Sequence, residues 1–297
     1  MEWQWNMSFE RRKMGVEYSS EVIERARKLR AIDDVLFRLI ASRTDVCQEI
    51  IQTMLGDNTI KVIKVTPQAT MISLFREVVL DVLCEMPDGT LTNIEVQKGN
   101  QNDDIRRVRY HASSITVNNT PKGTEFADIP KVRVIYITEY DALNTNQTIT
   151  QVTRCKKVGD EYIPVDDGEE ILFANTVVKD DTDKSKLLQL FLSQNSVNDE
   201  KFPAFCEALK FYKDTEKGRE IVCKIVEEYA KEYAEEYAEE CVQEYKIKSA
   251  ERLVISVNNF MRKCNDPLEV ACESSGVTVE EYYEAKELIE KAGLVTV

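Results

Sequence analysis

The sequence predicts a mixed α/β domain followed by a helical extension, and three observations carry that prediction. Apolar residues at helical spacing occupy the first part of the chain, up to Gly56. Three segments with strand character follow between residues 60 and 97, then a helical segment at 103–117 and a strand at 131–138. From Asp183 onward the pattern is helical. This order is typical of a domain in which helices cover a sheet.

The N-terminal helices are predicted from their spacing and from a stop signal. Residues 17–42 repeat apolar positions every three or four residues, and residues 46–55 form a second helical segment. Gly56 is a suitable end for that segment, because glycine readily takes the left-handed conformation that follows many helices. We assign residues 1–30 to a helical leader and residues 31–180 to the α/β domain.

Strands are predicted where the periodicity changes from helical to alternating. Residues 60–65 read IKVIKV, with the strict alternation that half-buried strands show. The other predicted strands are FREVVLDVLCEM at 75–86, LTNIEVQ at 91–97 and KVRVIYIT at 131–138, with weaker segments at 149–155 and 161–164.

A domain boundary is predicted near residue 180, in the charged segment VVKDDTDKSK, and residues 181–297 form a helical region. Its predicted helices are 187–194, 205–212, 217–246, 249–263, 267–274 and 279–291. A capping box from Thr278 to Glu281 opens the last one. The last two helices have helix-turn-helix spacing, but the second is rich in glutamate, which favours packing over DNA reading.

The helix predicted at 217–246 carries a regular stripe among its glutamates. Its members recur every four residues, at Tyr229, Tyr233, Tyr237, Cys241 and Tyr245. We interpret the segment as a solvated acidic helix whose tyrosines pack on a neighbouring element or on a second copy of the chain. A homo-oligomer through these C-terminal helices is therefore one of our predictions.

The composition disfavours several classes of protein. No apolar run approaches the roughly 18 residues of a membrane-spanning helix, and the N-terminus lacks the apolar stretch of a secretion signal. The eight cysteines include no CxxC pair, which favours reduced thiols in a cytoplasmic protein over a disulfide framework. His111 is the only histidine, so a histidine-based triad or a structural zinc site has little support.

The formal net charge of −14 argues against a polyanionic partner, because nucleic acids are bound by lysine and arginine. The charge is unevenly distributed, however. Residues 214–244 carry eleven acidic and four basic side chains, whereas residues 98–133 carry seven basic and four acidic ones. A nucleic-acid interface is therefore compatible with the second of these segments.

Two acidic residues stand out in the predicted strands. Asp81 is the one acid in the apolar run VVLDVLC, and a buried carboxylate is costly unless it is paired or bound to a metal ion. Glu95 and Gln97 share one face of the next strand, because strand side chains alternate. The loop between the strands decides whether the two carboxylates meet.

Pro87 suits the first central position of a type I turn, and Gly89 suits a following left-handed residue. These preferences favour a three-residue loop over 87–89. That register sets Asp81 directly across from Glu95 on one face, with Cβ atoms about 4.5–5.5 Å apart. A two-residue loop would put the two side chains on opposite faces.

Two carboxylates at that distance repel each other unless a cation lies between them. Mg²⁺ or Mn²⁺ suits such a pair, since hard cations prefer oxygen ligands. A site of this kind could activate water for attack on a phosphodiester, with Gln97 positioning the water or the phosphate by hydrogen bonds. The alternative is a carboxylate satisfied by a nearby arginine or by backbone donors.

The same residues resemble a known family. The segment DVLCEMPDGTLTNIEVQ is similar to the D…ExK core of PD-(D/E)XK nucleases, in a variant with glutamine at the lysine position. More narrowly it resembles the Rpn family of recombination-promoting nucleases, often described as transposases. IDDVLFRLI resembles an early helix of that family, with matches at Asp34, Phe37 and Arg38. Arg106 and Tyr110 match an RxxxY motif of the following helix.

The resemblance covers about residues 31–140 and implies a restriction-endonuclease-like αβββαβ core that cleaves DNA with a divalent metal ion. It implies that Asp81 and Glu95 bind Mg²⁺ or Mn²⁺, that Gln97 is the third motif residue, and that Asp34 adds an acid from the first helix. Two positions depart from the family pattern. Glutamine replaces lysine at Gln97, which puts the rate in doubt, and His111 stands where relatives commonly carry another aromatic residue.

Three basic or aromatic side chains are candidate DNA contacts. Arg106 and Tyr110 lie four residues apart on one helix face, and Lys98 adds positive charge beside them. The alternative for Arg106 is a surface contact with Tyr110 or a pair with Asp103. For the whole chain, the sequence predicts a metal-dependent DNA endonuclease associated with recombination or transposon-like elements. The alternatives are a catalytically inactive nuclease-fold relic that binds DNA or protein, and an interaction protein built on the tyrosine-striped helix.

Overall fold

The computed structural model describes residues 18–72, 77–99 and 105–293, apart from the side chains of residues 232, 236 and 240. Most of the predicted leader at 1–30 lies outside this range. The described chain begins with three helices, α1 (Ser20–Lys28), α2 (Asp34–Ile40) and α3 (Thr44–Leu55). The segment predicted as one helix at 17–42 is thus two helices, and in the turn between them the Arg30 N–H donates to Asp33 Oδ2 at 2.6 Å. Helix α3 ends at Gly56 with a φ of 71°, as predicted.

Eight strands lie in the described residues. They are β1 (Lys64–Met71), β2 (Val78–Glu85), β3 (Leu91–Gln97), β4 (Val132–Thr138), β5 (Ile149–Val152), β6 (Cys155–Val158), β7 (Glu161–Pro164) and β8 (Glu169–Asn175). One mixed sheet has the order β1-β2-β3-β4-β8-β5, and β6 and β7 form a separate hairpin. Strands β1, β2 and β3 are antiparallel, β3, β4 and β8 are parallel, and β5 runs antiparallel to β8.

Helix α4 (Ile105–Asn118) connects β3 to its parallel neighbour β4. The predicted order of helix, three strands, helix and strand is confirmed, and β3 has the predicted bounds. Strand β1 begins four residues later than the predicted segment at 60–65. Strand β8 was not predicted, although it pairs along its whole length with β4 in the middle of the sheet.

The remaining helices are α5 (Asp183–Phe191), α6 (Pro203–Asp214), α7 (Glu216–Cys264), α8 (Leu268–Ser274) and α9 (Val279–Lys291). The segments predicted separately at 217–246 and 249–263 are one helix, α7. The capping box at the start of α9 is confirmed, since Thr278 and Glu281 each accept from the backbone N–H of the other.

The sheet has a hydrophobic core on each face. The larger core packs α1, α2, α3, α5 and α6 on one face, and Phe191 is central to it, with its ring 6.0 Å from Phe37 and 4.9 Å from Phe205. The smaller core packs α4 on the other face, where Val108 and Ile115 meet strand residues of β1, β2, β4 and β8. The elements that carry the acidic residues are therefore held from both sides.

The chain divides into two compact units between Glu227 and Glu228. The boundary predicted near residue 180 precedes this division, because Phe191 of α5 and Phe205 of α6 are buried in the larger core of the first unit. The second unit has its own core, in which Val254 and Val257 of α7 pack with residues of α8 and α9.

All eight cysteines are free thiols. Within the part of the chain that the structure describes, no helix combines the length and the apolar character needed to cross a bilayer.

Candidate active site

The β2–β3 hairpin has the predicted register. The Met86 N–H donates to the Thr90 carbonyl at 2.9 Å and the Gly89 N–H to the Met86 carbonyl at 3.0 Å, which closes a three-residue loop. Gly89 has a φ of +81°, the left-handed conformation that this loop requires. From the loop the ladder runs as far as Val82 opposite Ile94, and Asp81 and Glu95 are the residues directly beyond this last pair.

The backbone hydrogen bonds between β2 and β3 end before Asp81 and Glu95. Beyond that point the side-chain carboxylates of these two residues accept hydrogen bonds from backbone N–H groups. Asp81 Oδ2 accepts from the Val96 N–H at 2.8 Å. In return, Glu95 Oε1 accepts from the Asp81 N–H at 3.3 Å. Each carboxylate is therefore anchored to the backbone of the neighbouring strand, that of Glu95 to β2 and that of Asp81 to β3.

Glu95 is 2% exposed, and three nitrogen atoms lie close to its Oε1 atom. Besides the Asp81 N–H, the Oε1 atom accepts from Asn93 Nδ2 at 2.8 Å. The Nδ1 atom of His111, on α4, lies 3.4 Å from the same oxygen. Among the described residues Oε2 has no hydrogen-bond partner, so the two oxygens of this carboxylate are not equivalent.

Burial and nearby negative charges disfavour the ionised form of Asp81. The pKa of its carboxyl is raised well above the ordinary value, first by burial, then by the negative charge of Glu95 and then by that of Asp34. The hydrogen bond from the Val96 N–H and the positive charge of Arg38 act in the opposite direction but are weaker. A carboxylate destabilised by neighbouring acids is typical of functional sites.

Asp34 reaches the site from the first turn of α2, which packs on β2 and β3. It is held by Arg38 one turn later, whose Nε and Nη2 donate to its two carboxylate oxygens at 2.7 and 2.5 Å. Arg38 thus pairs with Asp34 rather than with Asp81. The negative charges of both Asp34 and Glu95 therefore act on the carboxyl of Asp81.

The other predicted site residues lie at the end of β3 and on α4. Gln97 accepts from Arg107 Nη1 at 3.3 Å, and Lys98 donates to Asp33 Oδ1 at 2.6 Å. Arg106 and Tyr110 lie on the exposed side of α4. Asp103, the alternative partner of Arg106, lies outside the described residues.

The backbone is irregular beside Asp81. Val78 and Leu80, before Asp81 on β2, belong to the smaller core, whereas Val82 and Cys84, after it, belong to the larger one. On β1 the position opposite Asp81 is Gln68, which has a left-handed φ of +52° and a buried, unpaired Nε2 atom. Such strain is uncommon for a residue other than glycine, and it occurs often at functional sites.

Two residues around Glu95 were missed by the sequence reasoning. Asn93 is fully buried two residues before Glu95 on the same strand face, and His111 is 4% exposed. A signal was present for the histidine, because position 111 falls on the same helix face as the apolar residues Val108 and Ile115. For Asn93 the signal was its position two residues before Glu95, which places both side chains on one face of the strand. That position does not indicate that Asn93 Nδ2 donates to Glu95.

Among the described residues, no group of three or more histidine, cysteine or acidic side chains is arranged as a complete metal site. The pair itself nevertheless fits a hard cation. Asp81 and Glu95 are oxygen donors, and a cation would relieve the repulsion that raises the pKa of Asp81. Mg²⁺ commonly binds one or two protein carboxylates and retains water ligands, so two acids are sufficient.

Comparison with known proteins adds one result. Residues 32–173 match the family described as PD-(D/E)XK nuclease family transposase. The match includes α2, the β2–β3 hairpin, α4 and β4, and it extends through most of β8. No curated protein and no solved structure matches the chain significantly.

Proposed function

We propose that this chain is an endonuclease that hydrolyses phosphodiester bonds of DNA with Mg²⁺ or Mn²⁺, because residues 32–173 match the family described as PD-(D/E)XK nuclease family transposase. Its role would be in recombination or in the movement of transposon-like elements, in the cytoplasm. The finer resemblance, to recombination-promoting nucleases of the Rpn type with glutamine in the third motif position, is part of the same proposal.

The observation that carries the proposal is the pair of opposed acids at the open end of the β2–β3 ladder. Both carboxylates are held by backbone N–H groups of the facing strand, and Arg38, the arginine of α2 near them, pairs with Asp34. Burial, and then the negative charge of Glu95, raise the pKa of Asp81, which disfavours the ionised pair in the protein alone. This arrangement is unfavourable for stability and suits the binding of a cation.

Each residue has a role that follows from its position. Asp81 and Glu95 would hold the cation, and Asp34, fixed by Arg38, would maintain the negative potential that attracts it. When bound, the cation would supply charge neutralisation at the phosphodiester and a lower pKa for water. Gln97, at the end of β3, would orient water or phosphate, and Lys98, Arg106 and Tyr110 would contact the DNA backbone.

The test is cleavage of a supercoiled plasmid in the presence of Mg²⁺ or Mn²⁺, with EDTA as the reference condition. The variants are Asp81→Asn and Glu95→Gln, which keep the shape of each side chain but remove its charge. We expect cation-dependent nicking by the wild type and a loss of at least about 100-fold in each variant, a loss typical when a key electrostatic contact is removed.

The matched control is Glu85→Gln. Glu85 lies on the same strand at the loop end of the hairpin, with its side chain 42% exposed and 4.0 Å from Lys64. Its replacement should leave the rate within about twofold, because exposed ion pairs contribute little. Cleavage that survives both active-site substitutions would disprove the assignment, and a wild type that cuts no DNA would favour the inactive relic.

We further propose that α7 mediates association of two copies of the chain. Its tyrosines are exposed, with 64% of Tyr233, 60% of Tyr237 and 72% of Tyr245 accessible. Residues 227–244 carry eight acidic and one basic residue, whereas residues 245–263 carry five basic and one acidic residue. An antiparallel second copy would therefore place the acidic half of each helix beside the basic half of the other.

Light scattering after size exclusion tests this association. The double substitution of Tyr233 and Tyr237 by serine should convert a dimer to a monomer or weaken the dimer at least tenfold. Tyr162→Ser is the control, since Tyr162 is equally exposed, at 69%, in the β6–β7 hairpin. A monomeric wild type, or a dimer that tolerates the double substitution, would contradict the proposal.

A further inference from the structure

His111 is the only histidine in the chain, and it is buried beside Glu95. Helix α4 turns it inward on the face that carries Val108 and Ile115, so the imidazole is 4% exposed. In the sequence this position stood out only as a departure from the family pattern, in which another aromatic residue is common. The contact with Glu95 gives the imidazole a second property that a purely aromatic side chain lacks.

The Nδ1 atom of this imidazole is buried and makes no full hydrogen bond, and Glu95 Oε1 lies 3.4 Å away. A bare lone pair on Nδ1 would point at the lone pairs of a carboxylate, which is unfavourable in a buried site. A proton on Nδ1 turns the same contact into an attraction. We infer that His111 is a positioning residue for Glu95 and carries a proton on Nδ1.

With a proton on Nδ1, the two oxygens of the Glu95 carboxylate have different roles. Oε1 then faces three nitrogen donors, from Asn93, from the backbone of Asp81 and from His111. These donors fix the side-chain orientation and occupy one oxygen. Oε2, which has no partner among the described residues, is the oxygen left to bind the cation. This step rests on the proposed nuclease function, whereas the tautomer of His111 does not.

Nuclear magnetic resonance of the full chain labelled with ¹⁵N-histidine tests the tautomer directly. The chain has one histidine, so an untagged preparation gives the signals of His111 alone. We expect the signals to show Nδ1 as a protonated nitrogen. Glu95→Gln should shift that signal, because the acceptor loses its charge. An unprotonated Nδ1, or a spectrum unaffected by Glu95→Gln, would overturn the inference.

Two substitutions test the effect on the cation. His111→Phe keeps an aromatic ring but removes the donor, and it should weaken Mn²⁺ binding, measured by calorimetry, about 10-fold. His111→Asn places an amide N–H near the position of Nδ1 and should restore part of that affinity. Equal Mn²⁺ affinity in the wild type and His111→Phe would overturn the positioning role, and so would equal loss in both variants.

Paramagnetic broadening distinguishes the cation site from the protonation of His111 Nδ1. Paramagnetic Mn²⁺ should broaden the His111 signals in the wild type and leave them sharp in Asp81→Asn, which has lost one ligand. If Mn²⁺ broadens nothing while the Nδ1 proton and its response to Glu95→Gln are observed, the nuclease proposal fails and the tautomer stands. If broadening is observed with Nδ1 unprotonated, the positioning inference fails and the cation site stands.

Discussion

The two ends of the β2–β3 hairpin use the same kinds of polar group for different purposes. At the loop end the ladder is regular, Glu85 is opposite Leu91, and Asp88 accepts from the N–H and hydroxyl of Thr90 at 3.0 Å. At the open end the ladder has stopped, and Asp81 and Glu95 occupy the backbone donors. At the loop end Glu85 is exposed and Asp88 accepts hydrogen bonds from Thr90. At the open end the charge of Glu95 disfavours the ionised form of Asp81.

The ionised acids at the two ends of the hairpin contribute to stability with opposite signs. The pKa of Asp88 is lowered, chiefly by the hydrogen bond from the Thr90 N–H, so its ionised form favours folding. The pKa of Asp81 is raised, chiefly by burial and by Glu95, so its ionised form opposes folding. Substitutions at the two ends should therefore change stability in opposite directions.

The largest effect on stability is expected at the loop. Gly89→Val should lower the free energy of unfolding by about 2 kcal/mol, because a β-branched residue disfavours the left-handed φ of +81°. No atom lies within 4 Å of a Cβ built there, so the loss would come from the backbone and not from a clash. Urea unfolding measures it. Gly89→Asn is the control, since asparagine tolerates this conformation, and an equal loss in both would exclude the conformational explanation.

A smaller effect of opposite sign is expected at the acids. Asp81→Asn, measured by urea unfolding in EDTA, should raise the free energy of unfolding near neutral pH by about 1 kcal/mol, an ordinary size for a single substitution, because it removes a charge that burial and Glu95 disfavour. The folded-state pKa of Asp81 is raised, so the favourable contribution of the protonated carboxyl is present below the unfolded pKa and is lost as pH rises through the folded value. The advantage of asparagine should accordingly vanish in acid.

The smallest effect is expected at Glu85, the acid on β2 that serves as the reference for this measurement. Glu85→Gln should change the free energy of unfolding by less than about 0.5 kcal/mol at any pH, because its contact with Lys64 is exposed and 4.0 Å long. If Asp81→Asn were neutral or destabilising at neutral pH while Glu85→Gln behaved as expected, the contrast between the two ends would not exist.

Much of the α/β unit was predictable because its signals are local. The order of elements follows from periodicity, the end of α3 from Gly56, and the hairpin register from Pro87 and Gly89. Strand β8 escaped prediction because its apolar run ILFA is short and its partner β4 is distant in sequence. Parallel pairing leaves no turn signal between two strands, so nothing local indicated that β8 completes the sheet.

The sequence alone determined the register of the hairpin that leads to Asp81 and Glu95, because a three-residue turn and strand alternation fix which residues pair. Only the tertiary structure decided what surrounds them. Helix α4 brings His111 to Glu95, α2 brings Asp34 to Asp81, and β1 places the strained Gln68 beside them. These neighbours come from separate elements whose relative positions depend on packing across the sheet, and packing of this kind has no period in the sequence.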